Sequence, residues 1–157
     1  MGKNTVSDSV AKKQCKKYLE ELGYSNITSA KGNSCDLLAY KDGSLKLFEV
    51  KYSSREDGSE FFGTVMFTEL FQAVNNESDY FFLVCRGNEN DLDHWFYKIF
   101  SVKDFLEFCT LTTPIGHYRI RFNENKEIQK INVGTRGVKI TKEMILDIWK
   151  KYKEWKP

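Results

Sequence analysis

Asp36, Glu49 and Lys51 stand where they could do chemistry together. Asp36 opens an apolar run, Leu37-Leu38-Ala39-Tyr40, and Glu49 and Lys51 sit near the end of a second, Leu45-Lys46-Leu47-Phe48-Glu49-Val50-Lys51. Both runs are rich in Leu, Phe, Val and Tyr and are joined by Lys41-Asp42-Gly43-Ser44, so they read as the strands of a β-hairpin. Side chains alternate across a strand, which puts Glu49 and Lys51 on one face and Phe48 and Val50 on the other. An antiparallel neighbour brings Asp36 beside that pair. Two carboxylates and an ammonium at one sheet edge can bind a divalent cation and hold an attacking water. The plainer alternative for Glu49 and Lys51 alone is a solvated charge pair.

The rest of the chain supplies elements to hold those strands. Val10, Ala11, Cys15, Tyr18, Leu19 and Leu22 recur at helical spacing, which predicts an amphipathic helix over 8–22. Ser7 or Asp8 caps its start and Gly23 stops it. Lys12, Lys13, Lys16 and Lys17 read as its solvated face. Residues 26–30 read as a first strand and 31–34 as a turn. Residues 55–60 form a polar loop, and 61–67 return as a strand or irregular segment. Thr68 is placed to cap a helix over 69–76, with Leu70, Phe71 and Val74 toward the core. Residues 80–85 are an uninterrupted apolar run, as in a strand buried on both faces. A polar turn over 87–93, a strand over 95–100 and a Ser101-capped helix over 102–108 follow. A second hairpin is expected from 118–122 and 127–133 around a turn at 123–126. Thr141 caps a last helix to Trp155, with Met144, Ile145, Ile148, Trp149 and Tyr152 as its apolar stripe.

With 157 residues, 41% apolar and 15% aromatic, the chain suits one packed domain rather than a disordered segment. The expected domain spans 1–157, with a core over about 6–109 and a C-terminal hairpin and helix over about 117–155. No run is long and apolar enough to span a bilayer, and Met1-Gly2-Lys3-Asn4 leads into no apolar signal core. Cys15, Cys35, Cys85 and Cys109 are too widely spaced for a zinc motif and read as buried reduced thiols. Together these predict a cytoplasmic protein. The net charge is only +2, so any nucleic-acid surface must be a local patch. No Gly-rich phosphate loop, Ser-His-Asp order or nicotinamide fingerprint occurs. His94, with Asp91 and Asp93, reads as part of a polar turn rather than a metal site, and His117 stands alone.

Asp36 followed on the next strand by Glu49-Val50-Lys51 resembles the PD-(D/E)XK nuclease superfamily, which includes restriction endonucleases, archaeal Holliday-junction resolvases and small repair nucleases. The resemblance covers roughly the first half to two-thirds of the chain, by pattern rather than identity. The order of helix, three-stranded meander, helix and strand also fits. No proline precedes Asp36, where the family pattern has one. The resemblance implies an α/β fold: a restriction-endonuclease-like mixed β-sheet flanked by helices, extended here by the C-terminal hairpin and helix.

It further implies a metal-dependent DNA endonuclease of restriction, repair or junction-resolving type. Asp36, Glu49 and the backbone carbonyl of Val50 would hold Mg²⁺, with Mn²⁺ as a substitute. Lys51 would orient or deprotonate water or stabilise developing charge. Related nucleases often carry a glutamate on the first helix facing the metal; the matching positions hold Lys12 and Lys13, with Asp8 a turn earlier. Glu69 has two readings. It can be a polar residue that the following helix supplies to the site, as Thr68-Glu69-Leu70 resembles a stretch of small bacterial domains found beside restriction and helicase modules. It can equally be an acid complementing a helix dipole. Tyr52, Ser53, Ser54 and Arg55 follow the catalytic strand and are candidates for backbone contact with DNA, as are Arg119 and Arg121 on one strand face. DNA is the expected partner, a homodimer would serve symmetric cutting, and a protein partner in a defence or repair system is a further expectation. The alternative function is a nuclease-fold module without catalysis that binds nucleic acid or protein.

Overall fold

Alternating apolar side chains sort the chain into two sheets that share one core. A computed structural model describes residues 6–30, 35–53, 60–112, 115–122, 128–129 and 138–155, with the backbone alone at 60, 129, 152, 154 and 155. Expectations for 1–5, 31–34, 54–59, 113–114, 123–127, 130–137 and 156–157 lie outside the described residues, Ser54 and Arg55 among them.

Helix α1 (Asp8–Glu21) starts where the Ser7 hydroxyl accepts a hydrogen bond from the Val10 amide. It ends at Gly23, whose φ of +92° lets the Tyr24 amide reach back to the Leu19 carbonyl. Strands β1 (Ser25–Ser29), β2 (Leu37–Lys41) and β3 (Ser44–Ser53) form the expected antiparallel meander. Asp42 and Gly43 both take positive φ, which is the demand of the tight turn between β2 and β3. Strand β4 (Glu60–Met66) and helix α2 (Phe67–Asn75) then carry the chain to β5 (Tyr80–Asn88), which lies parallel to β3 with Glu49 opposite Phe82 and Lys51 opposite Val84. Strand β6 (Asp91–Ser101) turns back against β5. The first sheet therefore runs β1-β2-β3-β5-β6, and the α/β mixed-sheet class expected from the sequence is the one observed.

The second sheet runs β10-β7-β8-β4. It comprises β4, β7 (Cys109–Thr112), β8 (Ile115–Phe122) and β10 (Val138–Lys139), with the short β9 (Ile128–Gln129) against β8. Helix α3 (Val102–Leu106) carries the Ser101 cap that the sequence predicts. Helix α4 (Lys142–Trp155) starts at the expected Thr141 hydroxyl and packs on α2, where Trp149 stacks on Phe71 at 4.0 Å. One face of the first sheet buries Phe48, Val50, Leu83 and Cys85 under Ala11, Cys15 and Leu19 of α1. The other face buries Tyr80, Phe82 and Val84 under Leu70 and Ala73 of α2, Phe105 of α3 and the inward row of the second sheet. All four cysteines are buried and none forms a disulfide, as expected. Among the described residues no helix is long and apolar enough to cross a membrane.

Three local expectations change. Helix α2 begins at Phe67 rather than after Thr68, because the Glu69 carboxylate, not the threonine hydroxyl, takes the Met66 amide at 2.8 Å. The turn expected over 87–93 shrinks to Glu89-Asn90, because Trp95 lies over Gly87 and its indole N–H donates to the Asn88 carbonyl at 3.0 Å. Strands β7 and β10 lie where no strand was expected; strands of four and two residues give no usable period.

A methyl group on Gly87 would run into the Trp95 ring. Gly87→Ala should therefore lower stability by about 1–3 kcal/mol through overpacking. A urea midpoint for the variant equal to that of the parent protein would show that Trp95 can move aside without cost.

Candidate functional site

The meander places Asp36 at the end of β2. Its amide donates to the Phe48 carbonyl at 2.9 Å, one step beyond the last ladder pair, Leu37 with Phe48. Its carboxylate then folds back along β3, where Oδ2 accepts the Val50 amide at 2.8 Å. A residue's N–H and C=O project to the same side of a strand. The Val50 carbonyl thus points to the side of β3 that β2 has left, next to Asp36.

Glu49 and Lys51 share the opposite face from Phe48 and Val50, as alternation requires, and this face lies between the two sheets. Glu49 is 8% exposed, a buried carboxyl. The Lys51 ammonium lies 3.7 Å from Glu49 Oε1 and 2.8 Å from Glu69 Oε2, while the Tyr80 hydroxyl donates to Glu49 Oε2 at 3.4 Å. Glu69 enters from the first turn of α2, with Oε1 on the Met66 amide. The structure therefore brings Glu49, Lys51 and Glu69 together, with Asp36 at the adjacent end of β2, on the Val50 amide and Lys12. Glu69 contacts Lys51 and also complements its own helix end.

Glu49 is pushed up to about 10, first by burial, then by its hydrogen bond to Glu69 and the charges of Glu69 and Asp36; Lys51 offsets only part of this. For Glu69, burial opposes ionisation, but the hydrogen bond from Glu49, the Lys51 ammonium and the Met66 amide overcome it and hold it below the ordinary range. The proton of the pair thus resides on Glu49, which is deeper and farther from Lys51.

A divalent cation beside Glu49 would favour its ionised form. The donors on offer, two carboxylates and a strand carbonyl, are hard oxygens suited to Mg²⁺ or Mn²⁺ rather than to zinc. Among the described residues no three His, Cys, Asp or Glu side chains gather closely enough to hold an ion by themselves. The residues present fit such an ion.

The first helix departs from expectation. Lys12 is not part of a solvated face: its ammonium bridges Asp8 at 2.9 Å and Asp36 Oδ1 at 3.4 Å. Helical spacing alone could not reveal this, because position 12 borders the apolar stripe and only the ending of β2 brings Asp36 under it. Lys13 remains exposed. Gln72 is half-buried, and its carbonyl takes the Asn76 side chain and amide. Tyr52 lies on the α1 side of β3, and Ser53 pairs in register with Arg86. Sequence reasoning passed over Arg86. It is 2% exposed and falls on the same side of β5 as Tyr80, Phe82 and Val84, a position that period-two alternation could have flagged. Arg119 and Arg121 are exposed on β8, in the second sheet and apart from this cluster. His94 contacts Asp91 at 2.8 Å in an exposed hairpin.

No protein-family model and no curated protein matches the chain. Among solved structures it is similar to Hjc of Archaeoglobus fulgidus, a Holliday junction resolvase from an archaeal hyperthermophile, with a TM-score of 0.48 and 16% identity over 78% of this chain and 90% of that one. It is also similar to the bacterial homing endonuclease I-Ssp6803I, with a TM-score of 0.46 and 15% identity over 99% of this chain and 100% of that one. These are likenesses of outline; what the site can do follows from its own side chains.

Glu49 takes up a proton on folding wherever the pH lies between the ordinary carboxyl value and about 10. Its folded value is raised, so stability present at low pH is lost as pH rises through that window. In chelator, unfolding free energy should fall from about pH 5 to pH 9. Glu49→Gln should flatten that slope and be the more stable protein at pH 8. Parallel pH profiles for the two proteins would mean that Glu49 does not hold the proton.

Proposed function

We propose that this protein is a metal-dependent DNA endonuclease that hydrolyses phosphodiester bonds. The observation that carries the reading is the contact of Glu49, Lys51 and Glu69 between the sheets, with Asp36 at the adjacent end of β2 on the Val50 amide.

Asp36 Oδ1, Glu49 and the Val50 carbonyl would hold Mg²⁺, or Mn²⁺ in its place. When bound, the ion would neutralise phosphate charge and make a bound water a better nucleophile. Asp36 is oriented for this by the Val50 amide. Glu69 fixes the Lys51 ammonium by two contacts, at 2.8 and 3.1 Å, and so aims it past Glu49 toward the strand end. There Lys51 stabilises the negative charge that grows on the phosphoryl oxygens. In this reading Glu69 is a positioning residue. Tyr52 and Ser53, next along β3, and Arg119 and Arg121 on β8 are proposed DNA contacts.

A second reading is a nuclease-fold module that binds DNA without cutting it. What favours it is Lys12, whose ammonium already occupies Asp36 Oδ1. A cation and Lys12 compete for that oxygen, and Asp8 is a ready alternative partner for the lysine.

Calorimetric titration with Mn²⁺ should give binding by the parent protein, loss of binding in Asp36→Ala and tighter binding in Lys12→Ala. Equal affinity in all three proteins would remove Asp36 from the site and favour the silent module.

Supercoiled plasmid, branched junctions and single strands should be nicked or cut with Mg²⁺ or Mn²⁺ and spared in chelator. Lys51→Ala should cut at least about a hundredfold more slowly. Undiminished cutting by Lys51→Ala, or no cutting of any substrate with either metal, would end the catalytic reading.

A further inference from the structure

The outer face of the second sheet has a composition that the core does not explain. Alternation on β4 sends Phe61 and Val65 inward and leaves Phe62, Thr64 and Met66 outside, with Phe62 52% and Met66 50% exposed. Pairing with β8 sets Phe62 opposite Arg119, Thr64 opposite His117 and Met66 opposite Ile115, while Glu60 pairs with Arg121. Thr110 of β7 lies on the other side of His117, and Lys139 of β10 lies beyond Thr110. The Phe62 ring is flanked by the His117 ring at 5.7 Å and by the Arg119 guanidinium at 5.9 Å. Of the charged residues that the register puts on this face, three are cationic, Arg119, Arg121 and Lys139, and one is acidic, Glu60 opposite Arg121, so the face is net positive.

We propose that this face binds single-stranded DNA, with Phe62 as the base-stacking platform and Arg119, Arg121 and Lys139 as phosphate contacts. Charge complementarity calls for a polyanion. The half-exposed ring among cations selects the kind: base faces are hidden inside a duplex and available only in unpaired nucleotides. Hydroxyls of Thr64 and Thr110 add polar contacts that carry no sequence preference. The face also leads to the candidate centre. Strand β4 ends at Met66, whose side chain closes the outer row and whose amide holds Glu69. A strand lying along β4 from Phe62 to Met66 would cover about 13 Å and reach the strand end whose amide holds Glu69. The inference deepens the nuclease reading by naming an unpaired strand as its substrate, and rests on that reading only where cutting is concerned.

Fluorescence anisotropy in chelator, with a labelled oligothymidylate of about 12 nucleotides and a duplex of equal length, tests the binding. The parent protein should prefer the single strand. Phe62→Ala should weaken single-strand binding about tenfold or more, and Phe62→Leu, which keeps apolar bulk without the ring, should lose most of that affinity too. Arg121→Ala should reduce the salt dependence of binding by about 0.7 in log–log slope. Preference for duplex, or oligothymidylate affinity unchanged in Phe62→Leu, would overturn the proposal. So would a dimer in sedimentation that Phe62→Ala dissolves, since the face would then be a contact between copies. Metal-dependent plasmid cutting, scored separately, keeps the two ideas apart. Cutting without single-strand preference would leave the nuclease and remove the platform; preference without cutting would do the reverse.

Discussion

Two carboxyls, Glu49 and Glu69, held beside one lysine between the sheets, are the constraint around which the molecule is built. Carboxyls resist burial, and two together resist it more. They stay because the surroundings leave no alternative. Phe48 and Val50 fix β3 from the α1 side, so Glu49 can only face inward. The Tyr80 hydroxyl and Lys51 supply its remaining polar contacts. Glu69 is held by the amide that opens its own helix. A well-packed apolar layer lies beneath: Phe82 stacks on Phe105 at 3.9 Å, and Tyr118 packs on Phe105 from the second sheet. The stability of that layer sustains the carboxyls above it.

The meander and the parallel strand were legible because they rest on local rules. Glu49-x-Lys51 needs only the two-residue period, the Asp42-Gly43 turn fixes the hairpin register, and the uninterrupted run beginning at Tyr80 announces a strand covered on both faces. Asp36 and Glu49 followed from pairing. Glu69 was harder, because its part in the site depends on where α2 begins, and that start is set by the Glu69 carboxylate itself rather than by Thr68. Lys12 was misread for a related reason. Its contact with Asp36 crosses from one layer to another, and no spacing within a helix encodes it. The second sheet was half visible: β8 alternates cleanly, whereas β7 and β10 are short and are defined mainly by their partner strands.

The ending of β2 gives the site its chemistry. While β2 runs beside β3, backbone groups satisfy one another. At Asp36 the ladder stops, a carboxylate replaces a carbonyl as the partner of the Val50 amide, and the Val50 carbonyl is turned toward the same opening. Oxygen atoms thus accumulate at a strand end without any loop having to position them. A site built on paired strands is held more precisely than one carried by loops.

Strand β4 ties the core, the candidate centre and the outer face together. Its inward side chains, Phe61 and Val65, fill the layer between the sheets; its outward ones, Phe62, Thr64 and Met66, form the exposed row; its last amide orients Glu69. A slip of one residue against β8 would turn Phe62 into the core, bring Phe61 out and shift the amide that Glu69 needs. Gly63 guards against this: Tyr118 lies across it so closely that any side chain there would collide with the phenol ring. The register that packs the core is therefore the same register that aims Lys51 through Glu69. Packing and site geometry are one constraint, which is why a buried charge cluster can persist in a fold this small.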